Sequence, residues 1–279
     1  MSDIFISALV VGVSKIEWEN NPKMLSSVCL SVIQKWISSD FNCLDKEDIS
    51  DEMRRDYGRI KQSYFGMIND IYNLSNNYHM LQYFLHNKEI EGGFKISYAQ
   101  TITENYIFNL RCIYDFLSHF ARIFMEPKNV KSYLNTKTYK SLNTFIGYCE
   151  KHQKVLPQEI INYYINLKHD LDVIKKIRDT IVHDGKEPFI DIIDNEFSFK
   201  VSASNLICND IIDILSTGNN QFPLFKYLKT LTNTLFNSIE VLGNILGNES
   251  HKRNSKFVIE RTAISGISIA DFKLFLSQN

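Results

Sequence analysis

Apolar side chains recur every three or four residues along most of this chain, the period of a helix with one buried face. The longest stripe includes Met53, Tyr57, Ile60, Tyr64, Met67 and Ile71 and continues to Leu85. It predicts a helix over 51–87 that Asp48 and Ser50 are placed to cap. Glu91-Gly92-Gly93 interrupts the pattern. A second stripe through Ile102, Tyr106, Leu110, Ile113, Leu117 and Phe124 predicts a helix from a Ser97 cap to Met125, ended by Pro127. A shorter helix is expected within 138–152. A long one runs from Pro157 to His183, on the stripe Ile160, Tyr164, Leu167, Leu171 and Ile174, and a last long helix covers 221–246. Pro22 is placed to open a helix ending near Ser38. The period changes over 188–201. There Phe189, Ile190, Ile192 and Ile193, then Asp194-Asn195, then Phe197, Phe199 and Val201 read as a β-hairpin. Residues 4–18 and 256–264 have strand character, and 268–277 read as a terminal helix.

These elements define a mainly α fold: a bundle of long helices with a small β-hairpin after one of them and extra strands toward the termini. Residues 46–249 read as the helical domain, 1–45 as an N-terminal extension and 250–279 as a C-terminal one. Composition supports a packed core and narrows the function classes. Apolar residues are 44% and charged residues 23% of the 279, an ordinary globular balance. Glycine, at 11, and proline, at 5, are sparse, which suits long helices. The formal net charge of -1 argues against a polycation that coats nucleic acid in bulk, while leaving room for a local basic patch. Cys29, Cys43, Cys112, Cys149 and Cys208 have neither zinc nor redox spacing. They are expected to be reduced thiols in a cytoplasmic protein. The apolar run over 4–13 lacks a preceding basic residue and is too short to span a membrane, so no membrane partner is expected.

The sequence contains no P-loop, GxGxxG, GxSxG or HExxH motif, which weighs against the kinase, dehydrogenase, α/β-hydrolase and zincin readings. The segment that carries chemistry is Ile177-Arg178-Asp179-Thr180-Ile181-Val182-His183-Asp184-Gly185. Arg178 falls on or beside the buried stripe of its helix. Drift of a straight helix against a seven-residue repeat lets Ile177 take the core position and leaves Arg178 at the edge. His183 follows after a rotation of about 140°. Asp179, four residues before His183, is spaced to touch it. An arginine can hold a phosphate through two parallel hydrogen bonds, and a histidine can move protons near neutrality. With Asp179 orienting the imidazole, these parts suffice for RNA cleavage without a metal or other cofactor, using the 2′-hydroxyl as internal nucleophile. The same residues also have an ordinary structural reading, because a histidine suits the last turn of a helix and Asp-Gly is common C-terminal punctuation.

The stretch Arg178–Gly185 resembles the R-x4–6-H signature of the HEPN superfamily, with Asp179 in the polar slot after the arginine. Glu104-Asn105-Tyr106-Ile107-Phe108-Asn109-Leu110-Arg111 and the run to Phe124 resemble the long partner helix of that bundle. The resemblance covers about 50–247. It implies a helical bundle that dimerises through its motif helices, so that two Arg/His pairs form one composite RNA-cleaving site. It also implies an endoribonuclease of antiviral defence or a toxin-antitoxin system, with a cognate antitoxin or defence protein as a further partner. Other members are inactive scaffolds, so a scaffold that binds a nucleotide, RNA or protein is the alternative. Lys175 and Lys176, beside the motif, are candidates for steering RNA, against the plainer reading of a basic solvent face. Four further groups have structural readings first: Lys168-His169-Asp170 as a charged face, Arg111 with Asp115 as an ion pair, Glu104 on the partner helix, and His251-Lys252-Arg253 as a basic loop.

Overall fold

A computed structural model describes residues 24–40, 51–135, 141–184, 189–200, 221–259 and 262–277. The strand expected over 4–18 lies outside them, as does Pro22. In chain order, the described elements are β1 (Met24–Ser27), α1 (Val28–Asp40), α2 (Asp51–His86), α3 (Gly92–Phe120), a 3-10 turn (Ala121–Phe124), α4 (Pro127–Leu134), α5 (Leu142–Lys151) and α6 (Gln158–Asp184). They continue with β2 (Phe189–Ile193), β3 (Glu196–Lys200), β4 (Gln221–Pro223), α7 (Leu224–Arg253), β5 (Thr262–Ser265) and α8 (Ile267–Ser277). The fold is the mainly helical bundle with a small antiparallel sheet that the periodicity implies.

Helix α3 is the centre of the bundle. Tyr106, Leu110, Ile113, Leu117 and Phe120 are fully buried along it. Each such side chain contributes on the order of 1.5–3 kcal/mol by leaving water. Two buried tyrosine hydroxyls tie neighbouring helices to α3. The Tyr106 hydroxyl lies 2.6 Å from Thr232 Oγ1 on α7, and the Tyr164 hydroxyl of α6 donates to the Leu117 carbonyl at 2.6 Å. Helices α2 and α3 pack along their length. A Cβ on Gly66 would come within 2.7 Å of the Phe116 ring, and Phe84 meets Tyr98 with ring centroids 4.7 Å apart.

Several boundaries depart from the sequence expectation, among them the strand expected over 256–264, which the structure shows as β5 at Thr262–Ser265. Helix α3 starts at Gly92 rather than near Ser97, with Glu91 extended at its N-terminus. Pro127 ends one helical run and opens α4 at its first turn, where the missing N–H costs nothing. Helix α1 starts at Val28, because 24–27 pairs as β1 with β5 in the register Met24↔Ser265 to Ser27↔Thr262. Ser27 and Glu240 then cap α1: Val28 N–H donates to Glu240 Oε2 at 2.8 Å, and Leu30 N–H donates to Ser27 Oγ at 3.2 Å.

The hairpin follows the motif helix as expected. Ile190 pairs with Phe199 and Ile192 with Phe197. Asp194 and Asn195 take φ of 51° and 62°, the double left-handed turn whose twist matches the flanking strands. β4 adds a third strand, and its Pro223 sits at the sheet edge where no ladder donor is needed. Phe199 stacks on Tyr227 at 5.1 Å, fixing the sheet to α7.

Candidate functional site

Helix α6 carries the motif. Its first turn follows Pro157, whose carbonyl accepts from Ile160 and Ile161 N–H. The buried stripe is Ile160, Tyr164, Leu167, Leu171, Ile174, then Ile177 and Ile181. Ile177 takes the core position, and Arg178 stands at the edge of the buried face with 38% of its side chain exposed. Lys175 is half-buried and Lys176 exposed on the same turns. His183 lies in the last turn, about 7.5 Å further along the axis at the helical rise. Its side chain lies outside the described residues.

Arg178 Nη1 donates to Asp179 Oδ1. Neighbours in a helix do not face one another, so the long arginine side chain folds back to make this pair. The expected contact of Asp179 with His183 involves a side chain that is not described. What the structure provides is a part-exposed guanidinium held by the adjacent carboxylate, 32% exposed, at the C-terminal end of α6.

Helix α3 supplies the surroundings. Burial pushes the exposed-side Cys112 thiol up, the Asp70 and Asp115 carboxylates push it further, and the Arg111 and Arg178 guanidiniums oppose them. The charge of Arg178 is thus felt on the outer face of α3, beside Arg111. Cys112 stays a thiol near neutral pH, so it is not set up as a nucleophile. That Cys112 lies within reach of the Arg178 charge was not legible, because it depends on how α3 and α6 pack.

The secondary candidates separate cleanly. Arg111 pairs with Asp115 at 2.8 Å, as the spacing predicts. Asp115 also accepts Leu142 N–H at 3.0 Å and so caps α5. Lys168 pairs with Glu150 at 3.0 Å. Burial raises the Asp170 carboxyl, while His169 and a hydrogen bond from Ser238 oppose the shift. Glu104 is half-buried on α3. His251-Lys252-Arg253 is not a loop but the last turn of α7, which runs past the expected end at 246. Arg253 donates to the Phe124 carbonyl at 2.8 Å with its guanidinium 4.6 Å above the Phe124 ring, and Lys252 pairs with Glu249 at 2.6 Å. These cations pin the C-terminal end of α7 to the bundle.

Among the described residues no three or more His, Cys, Asp or Glu side chains gather to hold a metal ion, and no helix is long and apolar enough to cross a membrane. Comparison with known proteins gives no match for this chain among family models, curated proteins or solved structures.

Proposed function

We propose that the protein is a metal-independent endoribonuclease of the HEPN type that acts as a homodimer in antiviral defence or a toxin-antitoxin system. The observation that supports this most is the placement of Arg178. It stands half-exposed beside the buried stripe, near the C-terminal end of α6, while Ile177 and Ile181 hold the helix in the core. A pair this exposed is worth about 0–1 kcal/mol, so a phosphate can take the place of Asp179 at little cost.

In this reading Arg178 binds the scissile phosphate and stabilises the charge that builds on it. His183 takes the proton of the 2′-hydroxyl as that oxygen attacks phosphorus. The bond from phosphorus to the 5′-oxygen breaks, and the imidazole of the second copy protonates the leaving 5′-oxygen. The products are a 2′,3′-cyclic phosphate and a 5′-hydroxyl. Asp179 holds Arg178 until the phosphate displaces it, and Lys175 and Lys176 draw the RNA strand in. An antitoxin or defence partner that covers this end of α6 keeps the enzyme silent.

A second reading, an inactive scaffold for a nucleotide, RNA or protein, draws support from the Arg178–Asp179 pair itself, since the cation is already neutralised by its neighbour. The two are separated by cleavage of mixed RNAs by the purified protein in EDTA, beside Arg178→Ala and His183→Ala. The nuclease reading expects cleavage that both substitutions remove and that an enforced monomer lacks. RNA binding without cleavage by a dimeric protein favours the scaffold.

A further inference from the structure

We infer that the tip of the α2–α3 hairpin is a contact surface for a second copy of this chain, so that two molecules meet tip to tip. Ten large apolar side chains stand exposed among the described residues, and four of them gather here: Met80 at 46%, Tyr83 at 61%, Phe94 at 57% and Tyr98 at 43%. Tyr83 meets Phe84 edge-on at 5.5 Å, Phe84 meets Tyr98 at 4.7 Å, and Tyr98 stacks with Phe94 at 6.2 Å. The four rings thus run unbroken from α2 across to α3. Exposed apolar side chains scattered singly are ordinary on a protein surface, whereas a contiguous set marks an interaction site. Tyrosine, phenylalanine and methionine are also the types that enrich the centres of protein interfaces.

The surface is already set in the single molecule. Asn87, just past α2, donates from Nδ2 to the Tyr83 hydroxyl at 2.9 Å and accepts the Glu89 N–H on Oδ1 at 2.9 Å. Lys95 Nζ donates to the Leu85 carbonyl at 3.0 Å, which closes the turn between the two helices. A Cβ on Gly92 or Gly93 would meet nothing within 4 Å, so the backbone beside the rings is open to approach. A partner therefore has little ordering to impose when it docks.

The charges around the rings select the partner. Lys88, Glu89 and Glu91 are exposed at the turn, and Lys95 is half-buried beside them. An anionic membrane or a nucleic acid is drawn by an excess of cations, which this tip lacks. A surface that carries both signs in equal number is complementary to its own image. A twofold axis at the tip sets the lysines of one copy toward the glutamates of the other, and the reverse, with the rings packed between them. The contact is separate from the motif: Cys112, which feels the Arg178 charge, lies about 21 Å further along α3 than Tyr98 at the helical rise. The patch is confined to one hairpin end, so the pairing is weak and grows with concentration.

The inference does not rest on the nuclease reading, because a doubling of mass is read whether the smaller species is a monomer or a dimer formed through α6. The test is sedimentation equilibrium of the full-length protein over a dilution series reaching about 1 mM. The expected result is a mass that doubles with concentration. Tyr83→Ser with Phe94→Ser should weaken the doubling about tenfold or more and leave the melting temperature unchanged, since both side chains are exposed. Lys88→Glu alone should weaken it, as should Glu89→Lys with Glu91→Lys, and an equimolar mixture of these two charge variants should restore it. Arg178→Ala should leave it unchanged. Absence of any doubling overturns the inference, as does doubling that the Tyr83→Ser, Phe94→Ser variant keeps in full. A lower melting temperature in that variant with no change in mass shows that the chain covers the patch itself, and overturns the inference too. Binding to phosphatidylserine vesicles that the same variant loses, with no self-association, assigns the patch to a membrane instead.

Discussion

Two arginine–aspartate pairs in this fold have the same chemistry and opposite surroundings. Arg122 and Asp56 meet at 2.7 Å with side chains 0% and 4% exposed, and the Tyr133 ring lies 4.8 Å from the guanidinium carbon. Arg178 and Asp179 meet with side chains 38% and 32% exposed. The buried pair joins the start of α2 to the 3-10 turn after α3, and neither partner can leave without stranding a charge in the core. The exposed pair joins two neighbours on one helix and constrains nothing else. Burial therefore separates the two: Arg122 is committed to the bundle, while Arg178 is held only by its part-exposed neighbour, the property on which the proposed phosphate-binding role rests.

The largest effect expected from breaking this contrast is at the buried pair. Arg122→Ala leaves Asp56 unpaired and should lower stability by about 3–5 kcal/mol in urea unfolding. Replacing both partners by apolar residues of similar volume should recover most of that loss. At the exposed pair the expectation inverts. Arg178→Ala should change stability by less than about 1 kcal/mol. It should cut RNA cleavage by about 10²–10³-fold, the loss typical of a transition-state charge stabiliser.

A third change separates damage to the bundle from damage to the motif. A Cβ on Gly243 would lie 2.3 Å from the Cys29 backbone nitrogen, so Gly243→Ala must push α1 from α7. It should lower the midpoint of unfolding by an amount equivalent to about 1–3 kcal/mol, while cleavage at low temperature persists.

The smallest effect concerns pH and belongs to the neighbourhood of the buried pair. His119 lies 2.8 Å from Ser63 Oγ, and its pKa falls from 6.5 to about 3, through burial first and then the nearby Arg122 charge. The fold thus holds a neutral imidazole. Its stabilising effect is whole above the unfolded pKa and is lost as pH drops from about 6.5 toward 3, where the unfolded chain binds a proton that the fold refuses. At pH 5.5 the loss should be about 1 kcal/mol relative to pH 8, and His119→Gln should remove that part of the pH dependence.

What the sequence made legible follows from the range of the forces involved. Helices α2, α3, α6 and α7 were readable because their buried stripes repeat locally, and the hairpin because Asp194-Asn195 favours its turn. The seat of Arg178 at the edge of the buried face followed from the drift of the same stripe past Ile177. The β1–β5 pairing was not readable: Met24–Ser27 is a short strand made only by its partner at Thr262–Ser265, more than two hundred residues away. The last turn of α7 is not visible in the sequence because its cations are satisfied by the Phe124 carbonyl and by Glu249 and Glu159. Of those partners only Glu249 lies on the same helix. The Arg178–Asp179 pair was missed because helical spacing favours i and i+4 contacts, whereas a flexible arginine can fold back onto its neighbour.

The chemistry of the RNA ends tests the proposed nuclease most directly. Purified protein is incubated in EDTA with an RNA and with the same RNA carrying a 2′-deoxy nucleotide at the cleaved position, beside Arg178→Ala. The proposed nuclease yields a 2′,3′-cyclic phosphate and a 5′-hydroxyl from the RNA, leaves the deoxy position uncut, and loses both products with Arg178→Ala. Cleavage that persists at the deoxy position, or that survives Arg178→Ala, would contradict it.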